Sequence, residues 1–170
     1  MATEPGIDAL FLAWKAAVLS GDVARIASLV TEDCEFWTNA APPLQGRQAL
    51  RATLLTFYAT YSHRQEFERH ELLVAGEIAF ARGIERNFLT PVAGGPEIVQ
   101  SQRAFIVIRR EPDGVWRFAR GMTNLLPSPS RGDAGDVDPN AFAAGWAAAC
   151  AAVRDRAGTT ASAPAVTPAA

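Results

Sequence analysis

The sequence predicts an α+β fold in which three N-terminal helices lie on one face of a curved antiparallel sheet and enclose a pocket. Three observations lead to this prediction. Apolar residues recur at helical spacing up to about residue 61, the spacing changes to every second residue from there to residue 125, and turn-forming residues separate four extended segments. Helices followed by a run of long strands are typical of the α+β class.

The helices are indicated by their apolar stripes and by the residues at their ends. Helix one is predicted from about Gly6 to Leu19, with Gly21 just beyond it, and Asp22 is a natural N-cap for helix two. A short strand, DCEFWT, and a proline-containing loop, NAAPPLQG, lead to a third helix over residues 47–61. The apolar stripe of helix two comprises Val23, Ile26, Leu29 and Val30.

Four long strands follow, at residues 63–74, 78–89, 97–110 and 115–125. The short segment AGE between the first two suits a tight hairpin, and EPDG before the last is a turn signal. Residues 1–126 therefore form the predicted domain.

The C-terminal part of the chain is predicted to be separate from this domain. Residues 127–138 are rich in Pro, Ser, Gly and Asp and indicate a linker. An amphipathic helix is predicted over residues 139–157, and it could cover the sheet, the pocket mouth or a partner subunit. Residues 158–170 have few large apolar side chains and are predicted to be disordered.

Charge and composition exclude several classes of function. A net charge of −2 without a basic block argues against nucleic-acid binding, and no apolar run is long enough to span a membrane. The N-terminus has Glu4 and no basic segment, so it does not resemble a signal peptide, and a cytoplasmic protein is predicted. Cys34, Cys150 and the two histidines form no metal-binding motif. Abundant Arg and Ala, with one Lys, suggest a bacterial source.

Three segments, AWKAAVLSGDVARIASLVTEDCEFW, LQGRQALR and DGVWRFARG, occur in an order and spacing that resemble the nuclear-transport-factor-2-like superfamily, in its SnoaL-like and ketosteroid-isomerase-like branch. The resemblance covers roughly residues 7–126. It implies a cone-shaped fold with a cavity open at its wide end, a small-molecule ligand, and a homodimer formed through the outer face of the sheet. It does not specify an activity, because this superfamily contains both enzymes and binding proteins.

Successive side chains of the second long strand, residues 78–89, point to opposite faces of the sheet. Because a cavity needs space, we predict that the small residues point inward together with Glu85 and Asn87. Phe80, Ile84 and Phe88 then point outward, where a dimer interface would cover them.

The resemblance also allows specific mechanisms to be tested against the residues. Trp14 stands where ketosteroid isomerases carry a tyrosine, and Thr38 stands where they carry the aspartate base. A threonine hydroxyl is far too weak a base near neutral pH, so isomerisation by that mechanism is disfavoured. The epoxide hydrolases of the superfamily need two aspartates around an arginine, and no such pair accompanies Arg103 or Arg120.

Glu85 is then the strand carboxylate available for chemistry. Alternation within GVWRFARGMTN places Trp116, Phe118, Arg120 and Asn124 on one face of the last strand, and Arg103 can lie near Glu85 on the third strand. A carboxylate between two guanidiniums would have a lowered pKa, which suits the binding of an acidic or carbonyl-bearing ligand. The same three side chains could instead form a structural ion-pair network.

The sequence thus predicts a SnoaL-like enzyme that performs acid/base chemistry of the isomerase, cyclase or dehydratase type, without metal or organic cofactor. Its substrate would be small, partly apolar and carbonyl- or hydroxyl-bearing. The alternative is a non-catalytic ligand-binding or dimerisation module. Glu85 or His70 would transfer the proton, although His70 lies in a charged segment and could be solvated. The predicted substrate-binding residues are Trp14, Trp37, Thr38, Tyr58, Asn87, Arg103, Phe118, Arg120 and Asn124.

Overall fold

The computed structural model describes residues 4–39, 41–126, 145, 148–149 and 151–152. Three helices come first: α1 (Pro5–Ser20), α2 (Val23–Ser28) and α3 (Arg47–Tyr58). Gly21 ends α1 in the left-handed conformation, with φ of 67°, which glycine adopts without steric cost. The side chain of Asp22 caps α2 by accepting a hydrogen bond of 2.9 Å from the backbone N–H of Arg25.

Six strands form one curved, open sheet: β1 (Val30–Trp37), β2 (Leu44–Gln45), β3 (Tyr61–Ala75), β4 (Ile78–Pro91), β5 (Ile98–Arg110) and β6 (Trp116–Leu125). Their order is β2-β1-β6-β5-β4-β3. The four long strands are antiparallel, as predicted, whereas β1 runs parallel to β6, so the sheet is mixed. The predicted α+β class is confirmed.

Three element boundaries differ from the prediction. Val30 is fully buried at the start of β1 instead of continuing α2, and Tyr61 begins β3 instead of ending α3. Leu44 and Gln45, predicted to lie in a loop, pair with β1 as β2. In each case pairing with another strand decides the conformation, and the local spacing of apolar residues does not report such pairings.

Two β-bulges interrupt the long strands. In β3 the pairing with β4 shifts between Arg69 and Glu71, which leaves His70 as the extra residue. In β6 the pairing with β5 shifts between Phe118 and Arg120, which leaves Ala119 as the extra residue. Because side chains alternate between faces, one extra residue moves everything after it to the opposite face.

The hydrophobic core lies between the helices and the inner face of the sheet. Ile7 of α1, Ile26 of α2 and Phe57 of α3 are almost completely buried there. They pack against a layer from the strands that includes Val30, Leu89, Ile108 and Phe118. Burial of such side chains supplies most of the free energy that holds helices on a sheet.

The predicted linker 127–138 and tail 158–170 lie outside the described residues, as does most of the predicted C-terminal helix 139–157. The five described residues of that segment are helical. Ala149 is 2% exposed and belongs to the core, and a Cβ atom on Gly145 would lie 3.0 Å from the ring of Tyr61. These described positions therefore pack against the domain itself.

Among the residues described, no helix is long and apolar enough to cross a membrane.

Candidate active site

A cavity of about 130 Å³ lies between α1, α3 and the inner face of the sheet. Its wall is largely apolar, with Trp14 from α1, Leu54 and Phe57 from α3, and Phe118 from β6. A cavity of about 150 Å³ admits a benzene ring, so this one suits a ligand of about one ring with further groups towards the mouth. Its polar lining residues are Thr38, His63, Gln65, Glu85, Gln102 and Thr123.

Glu85 lies on the inner face of β4, as the alternation predicts, and lines the cavity. Its Oε1 atom accepts hydrogen bonds from Asn87 Nδ2, at 2.8 Å, and from Gln102 Nε2. Burial raises the pKa of the Glu85 carboxyl, and the hydrogen bonds from Asn87, Gln102 and Gln65 only partly oppose this. Glu85 is therefore a carboxyl group that is more readily protonated than usual.

His63 is the second titratable side chain of the cavity. It is 9% exposed, and its Nε2 atom lies 2.8 Å from Oδ1 of Asn87. Since an amide oxygen can only accept, Nε2 carries the proton of the neutral ring. Burial lowers the pKa of His63 to about 4, although the hydrogen bond to Asn87 acts in the opposite direction. The imidazole is consequently neutral at physiological pH.

Asn87 connects these two groups and is fully buried. Its Oδ1 atom also accepts a hydrogen bond of 3.3 Å from Gln65 Nε2, whose own Oε1 accepts one of 2.6 Å from the indole N–H of Trp14. Trp14 thus contributes both an apolar wall and a polar contact, and Asn87 supports the carboxyl group from behind the cavity surface.

Two threonine hydroxyls lie in the cavity wall, one directly after the end of β1 and one in β6. The Oγ1 atoms of Thr38 and Thr123 are buried and have no hydrogen-bond partner among the residues described. Trp37, beside Thr38, is 54% exposed, and its indole donates a 2.7 Å hydrogen bond to Glu35. Trp37 therefore lies at the mouth of the cavity.

The prediction that Arg120 and Asn124 face the cavity is wrong. The bulge at Ala119 keeps Phe118 on the inner face and places Arg120 on the outer one, where its guanidinium donates to the backbone oxygen of Asp33 at 2.8 Å. Asn124, four positions further, is exposed on the same outer face. In their place, Gly121 and Thr123 line the cavity.

The predicted contact between Arg103 and Glu85 is also wrong. Glu85 pairs with Gln102, so the even-numbered residues of β5 point inward and Arg103 is exposed on the outer face. The ion-pair interpretation fails for the same reason. The pKa of Glu85 is raised instead of lowered, because amides and apolar side chains surround it where guanidiniums were expected.

His70 and Tyr58 also lie outside the cavity wall. His70 is the extra residue of the β3 bulge, and its exposed ring lies 3.3 Å from Glu68. The hydroxyl of Tyr58 donates a 2.9 Å hydrogen bond to the backbone oxygen of Val18. Burial raises the pKa of Tyr58, so this phenol stays protonated as a link between α3 and α1.

Four polar residues of the cavity wall were not predicted from the sequence: His63, Gln65, Gln102 and Thr123. His63 and Gln65 occupy alternate positions of β3 and pair with Leu89 and Asn87. The pairing of β3 with β4 can be counted back from the AGE turn if the bulge is included. Such a count places both side chains opposite inner residues of β4.

A larger groove of about 690 Å³ lies between α1 and the edge strand β3. It is open, and charged side chains such as Lys15, Glu66 and Arg86 line it. We assign the site to the smaller cavity, because that cavity encloses the titratable groups with perturbed pKa values. Within the described ranges, no three His, Cys, Asp or Glu side chains are grouped in a way that could hold a metal ion.

The sequence profile of the SnoaL-like domain matches residues 11–119. The chain belongs to the SnoaL-like family. The resemblance stated from the sequence is thereby confirmed. The matched segment runs from within α1 to the first part of β6, and of the described residues that line the cavity, Gly121, Met122 and Thr123 lie beyond it. A search of curated protein sequences finds no significant match.

Solved structures show the same fold as this SnoaL-like protein. A Mycobacterium tuberculosis protein of unknown function, Rv3472, is 23% identical, with a TM-score of 0.71 over 87% of this chain and 94% of that one. A ketosteroid isomerase-like protein from Erwinia carotovora is 21% identical, with a TM-score of 0.63 over 71% and 94%. ActVI-ORFA from Streptomyces coelicolor is 18% identical, with a TM-score of 0.60 over 71% and 94%. These similarities concern the fold alone.

Proposed function

We propose that this SnoaL-like protein is an enzyme that performs cofactor-independent acid/base chemistry, of the isomerase, cyclase or dehydratase type, on a small and largely apolar carbonyl- or hydroxyl-bearing molecule. The observation that carries the proposal is the position of Glu85. Its carboxyl group, with a raised pKa, lines an apolar cavity of ligand size. General acid/base catalysis is most efficient when the catalytic pKa is close to the working pH.

The cavity favours an uncharged substrate. Among the described residues that line it, no Lys or Arg is present, and His63 is neutral. A carboxylate or phosphate placed there would lose its hydration without gaining a cation, which is strongly unfavourable. A carbonyl or hydroxyl needs only hydrogen bonds, and the buried hydroxyls of Thr38 and Thr123 can supply them.

The roles of the side chains follow from their positions. Trp14, Phe57 and Phe118 form the apolar surface against which the ring of a substrate would pack. Glu85 would take a proton from a carbon next to a carbonyl and either return it to another atom of the substrate or deliver it to a departing hydroxyl group, which leaves as water while a carbon–carbon double bond forms. In either case the carboxyl group ends as it began, so no co-reactant is consumed.

Proton transfer can be tested before the natural substrate is known. Small neutral aromatic and alicyclic ketones are incubated with the protein in D₂O, and deuterium uptake beside the carbonyl is followed by NMR. We expect uptake with some of these ketones, and a reduction of at least about 100-fold in Glu85→Gln, because that amide cannot exchange a proton in this pH range. Glu66→Gln, which alters a carboxylate outside the cavity, is the matched control and should retain the wild-type rate.

The deuterium-uptake experiment can also contradict the enzymatic proposal. Neutral ketones that bind in the cavity without deuterium uptake would contradict the enzymatic proposal. Such a result would instead support the alternative, a non-catalytic ligand-binding module of the same fold. Equal rates in wild type and Glu85→Gln would assign proton transfer to another group.

We also propose that the outer face of the sheet mediates homodimerisation. Phe80 and Phe105 pack there with tilted rings whose centroids lie 4.1 Å apart, and Val99, Phe105 and Met122 are each about half exposed. Exposed apolar clusters of this kind are typical of protein interfaces. Sedimentation velocity should detect a dimer that Val99→Asp weakens. Val92→Asp changes a similarly exposed valine in a turn and should have no effect, and a monomeric wild-type protein would contradict the proposal.

A further inference from the structure

Two chains of amide side chains end on the same oxygen atom of Glu85. The first begins at Trp14, whose indole N–H can only donate a hydrogen bond. It donates to Gln65 Oε1, which turns Gln65 Nε2 towards Oδ1 of Asn87. Asn87 then presents Nδ2 to Glu85 Oε1. The direction of every bond in this chain follows from the indole at its start.

The second chain begins at the backbone N–H of Leu125, which also can only donate. It donates at 3.2 Å to Asn39 Oδ1, so that Asn39 Nδ2 faces Oε1 of Gln102 at 3.4 Å. Gln102 in turn donates through Nε2 to Glu85 Oε1. The two chains come from opposite sides of the cavity, one from α1 and one from the end of β6.

The direction of these hydrogen bonds matters because a side-chain amide group has nearly the same shape after a 180° rotation that exchanges its oxygen and nitrogen. A rotated Asn87 or Gln102 would present an oxygen to Glu85, which would repel the carboxylate instead of stabilising it. His63 Nε2 donates to Asn87 Oδ1 as well and supports the same orientation. The orientation of Gln102 is set by the hydrogen bond that its Oε1 atom accepts from Asn39, among the contacts of residues 4–39 and 41–126.

We propose that Trp14 and Asn39 are positioning residues, which orient the two amide chains so that Asn87 and Gln102 both donate to Oε1 of Glu85. The inference rests on the proposed function of Glu85 and goes beyond it, because it assigns a role to two residues that do not contact the carboxyl group. Trp14 therefore does more than form the apolar wall, and Asn39 acts from outside the cavity lining.

The test measures the titration of Glu85 directly, from the carboxyl ¹³C resonance of labelled glutamate, assigned by its loss in Glu85→Gln. Trp14→Phe keeps an aromatic ring and removes the indole N–H, and Asn39→Ala removes both contacts of that amide. Each should raise the pKa of Glu85 by about one pH unit, because Asn87 or Gln102 can then rotate and no longer donate to the carboxylate. The double variant should show a larger rise than either single variant.

Phe11→Leu is the matched control for Trp14→Phe. Phe11 lies on the same helix and packs against Phe118, as Trp14 does, but its ring makes no hydrogen bond. The pKa of Glu85 should stay at its wild-type value in this variant. An equal rise in Phe11→Leu would mean that general loosening of the wall causes the shift, and would overturn the proposal.

The titration of Glu85 and the deuterium-uptake test of the proposed function can fail independently of each other. If the pKa of Glu85 is unchanged in both folded single variants, the positioning role is wrong, whether or not the protein exchanges protons with ketones. If the pKa rises as expected and no ketone takes up deuterium, the orienting chains exist and the enzymatic proposal is the one that fails.

Discussion

Glu85 and His63 contact opposite ends of one amide, that of Asn87: its nitrogen donates to the carboxyl group and its oxygen accepts from the imidazole, each at 2.8 Å. Burial disfavours charge on both groups, so it raises the pKa of the acid and lowers the pKa of the base. The two groups therefore make opposite contributions to the pH dependence of stability, and each contribution can be isolated by substitution.

For Glu85, the folded protein binds the proton more tightly than the unfolded chain does. Its contribution to stability is fully present below the usual pKa of 4.5 and is lost as pH rises through the raised folded pKa. We expect Glu85→Gln to gain unfolding free energy relative to wild type as pH rises through that window. Urea denaturation at a series of pH values measures this difference. A pH-independent difference would mean that Glu85 titrates normally.

For His63, the unfolded chain binds the proton more tightly. The contribution of His63 to stability is therefore fully present above pH 6.5, and it is lost as pH decreases towards the folded pKa of about 4. The loss over this window should be about 3 kcal/mol in the wild type, as expected for a pKa difference of that size. His63→Gln retains a donor for Asn87 and should not show this loss. The same urea series measures it, and an identical acid dependence in both proteins would contradict a buried neutral histidine.

Arg120→Ala tests the corrected position of this guanidinium. Arg120 contacts Asp33 on the outer face, in an exposed ion pair that contributes less than about 1 kcal/mol. We expect a small loss of stability and an unchanged affinity for neutral cavity ligands, measured by calorimetry. Phe118→Ala, which removes part of the cavity wall, should weaken the same binding. A clear loss of affinity in Arg120→Ala would show that the guanidinium reaches the ligand.

Gly83→Ala should be strongly destabilising. A Cβ atom on Gly83 would lie 2.1 Å from the backbone oxygen of Glu68, beside the bulge of β3, and neither backbone can yield easily. We expect a loss of about 3 kcal/mol or more in urea unfolding. Gly76→Ala, in an open turn with φ of 59°, is the control and should lose about 1 kcal/mol from backbone strain alone. Similar losses at the two positions would contradict this close approach.

Ala104→Leu should block the cavity without disturbing its hydrogen bonds. Ala104 is 4% exposed and lies on the inner face of β5, beside Gly83 of β4. The larger side chain can enter the cavity, so we expect stability within about 1 kcal/mol of wild type and loss of ligand binding by calorimetry. The matched substitution Ala59→Leu, outside the cavity wall at the end of α3, should leave binding unchanged. Retained affinity in Ala104→Leu would place the ligand elsewhere.

Much of the fold follows from periodicity, and so does the inward position of Glu85. The small residues that alternate with Phe80 and Phe88 identify the inner face of β4 without knowledge of any partner strand. Trp14 and Phe118 could be placed on the cavity wall for a similar reason, because the helix stripe and the start of β6 are regular.

The wrong predictions concern side chains whose positions depend on a bulge or on the pairing between strands. His70 and Arg120 lie at or just after bulges, and alternation counts through an extra residue as if it were paired. Arg103 was misplaced because the register between β4 and β5 depends on how the loop TPVAGGPE closes, which composition does not reveal. His63 was missed because its importance depends on pairing with β4, and no local property of the strand signals that.

The bulge in β6 has a consequence for the kind of molecule that the protein can accept. If Ala119 were paired with β5 as a regular strand residue, with no bulge, the alternation would carry the guanidinium of Arg120 into the cavity. Such an interior would offer a cation to an anionic ligand, whereas the described wall of the present cavity holds no Lys or Arg. The charge inside the cavity thus depends on whether Ala119 is accommodated as an unpaired residue between Phe118 and Arg120.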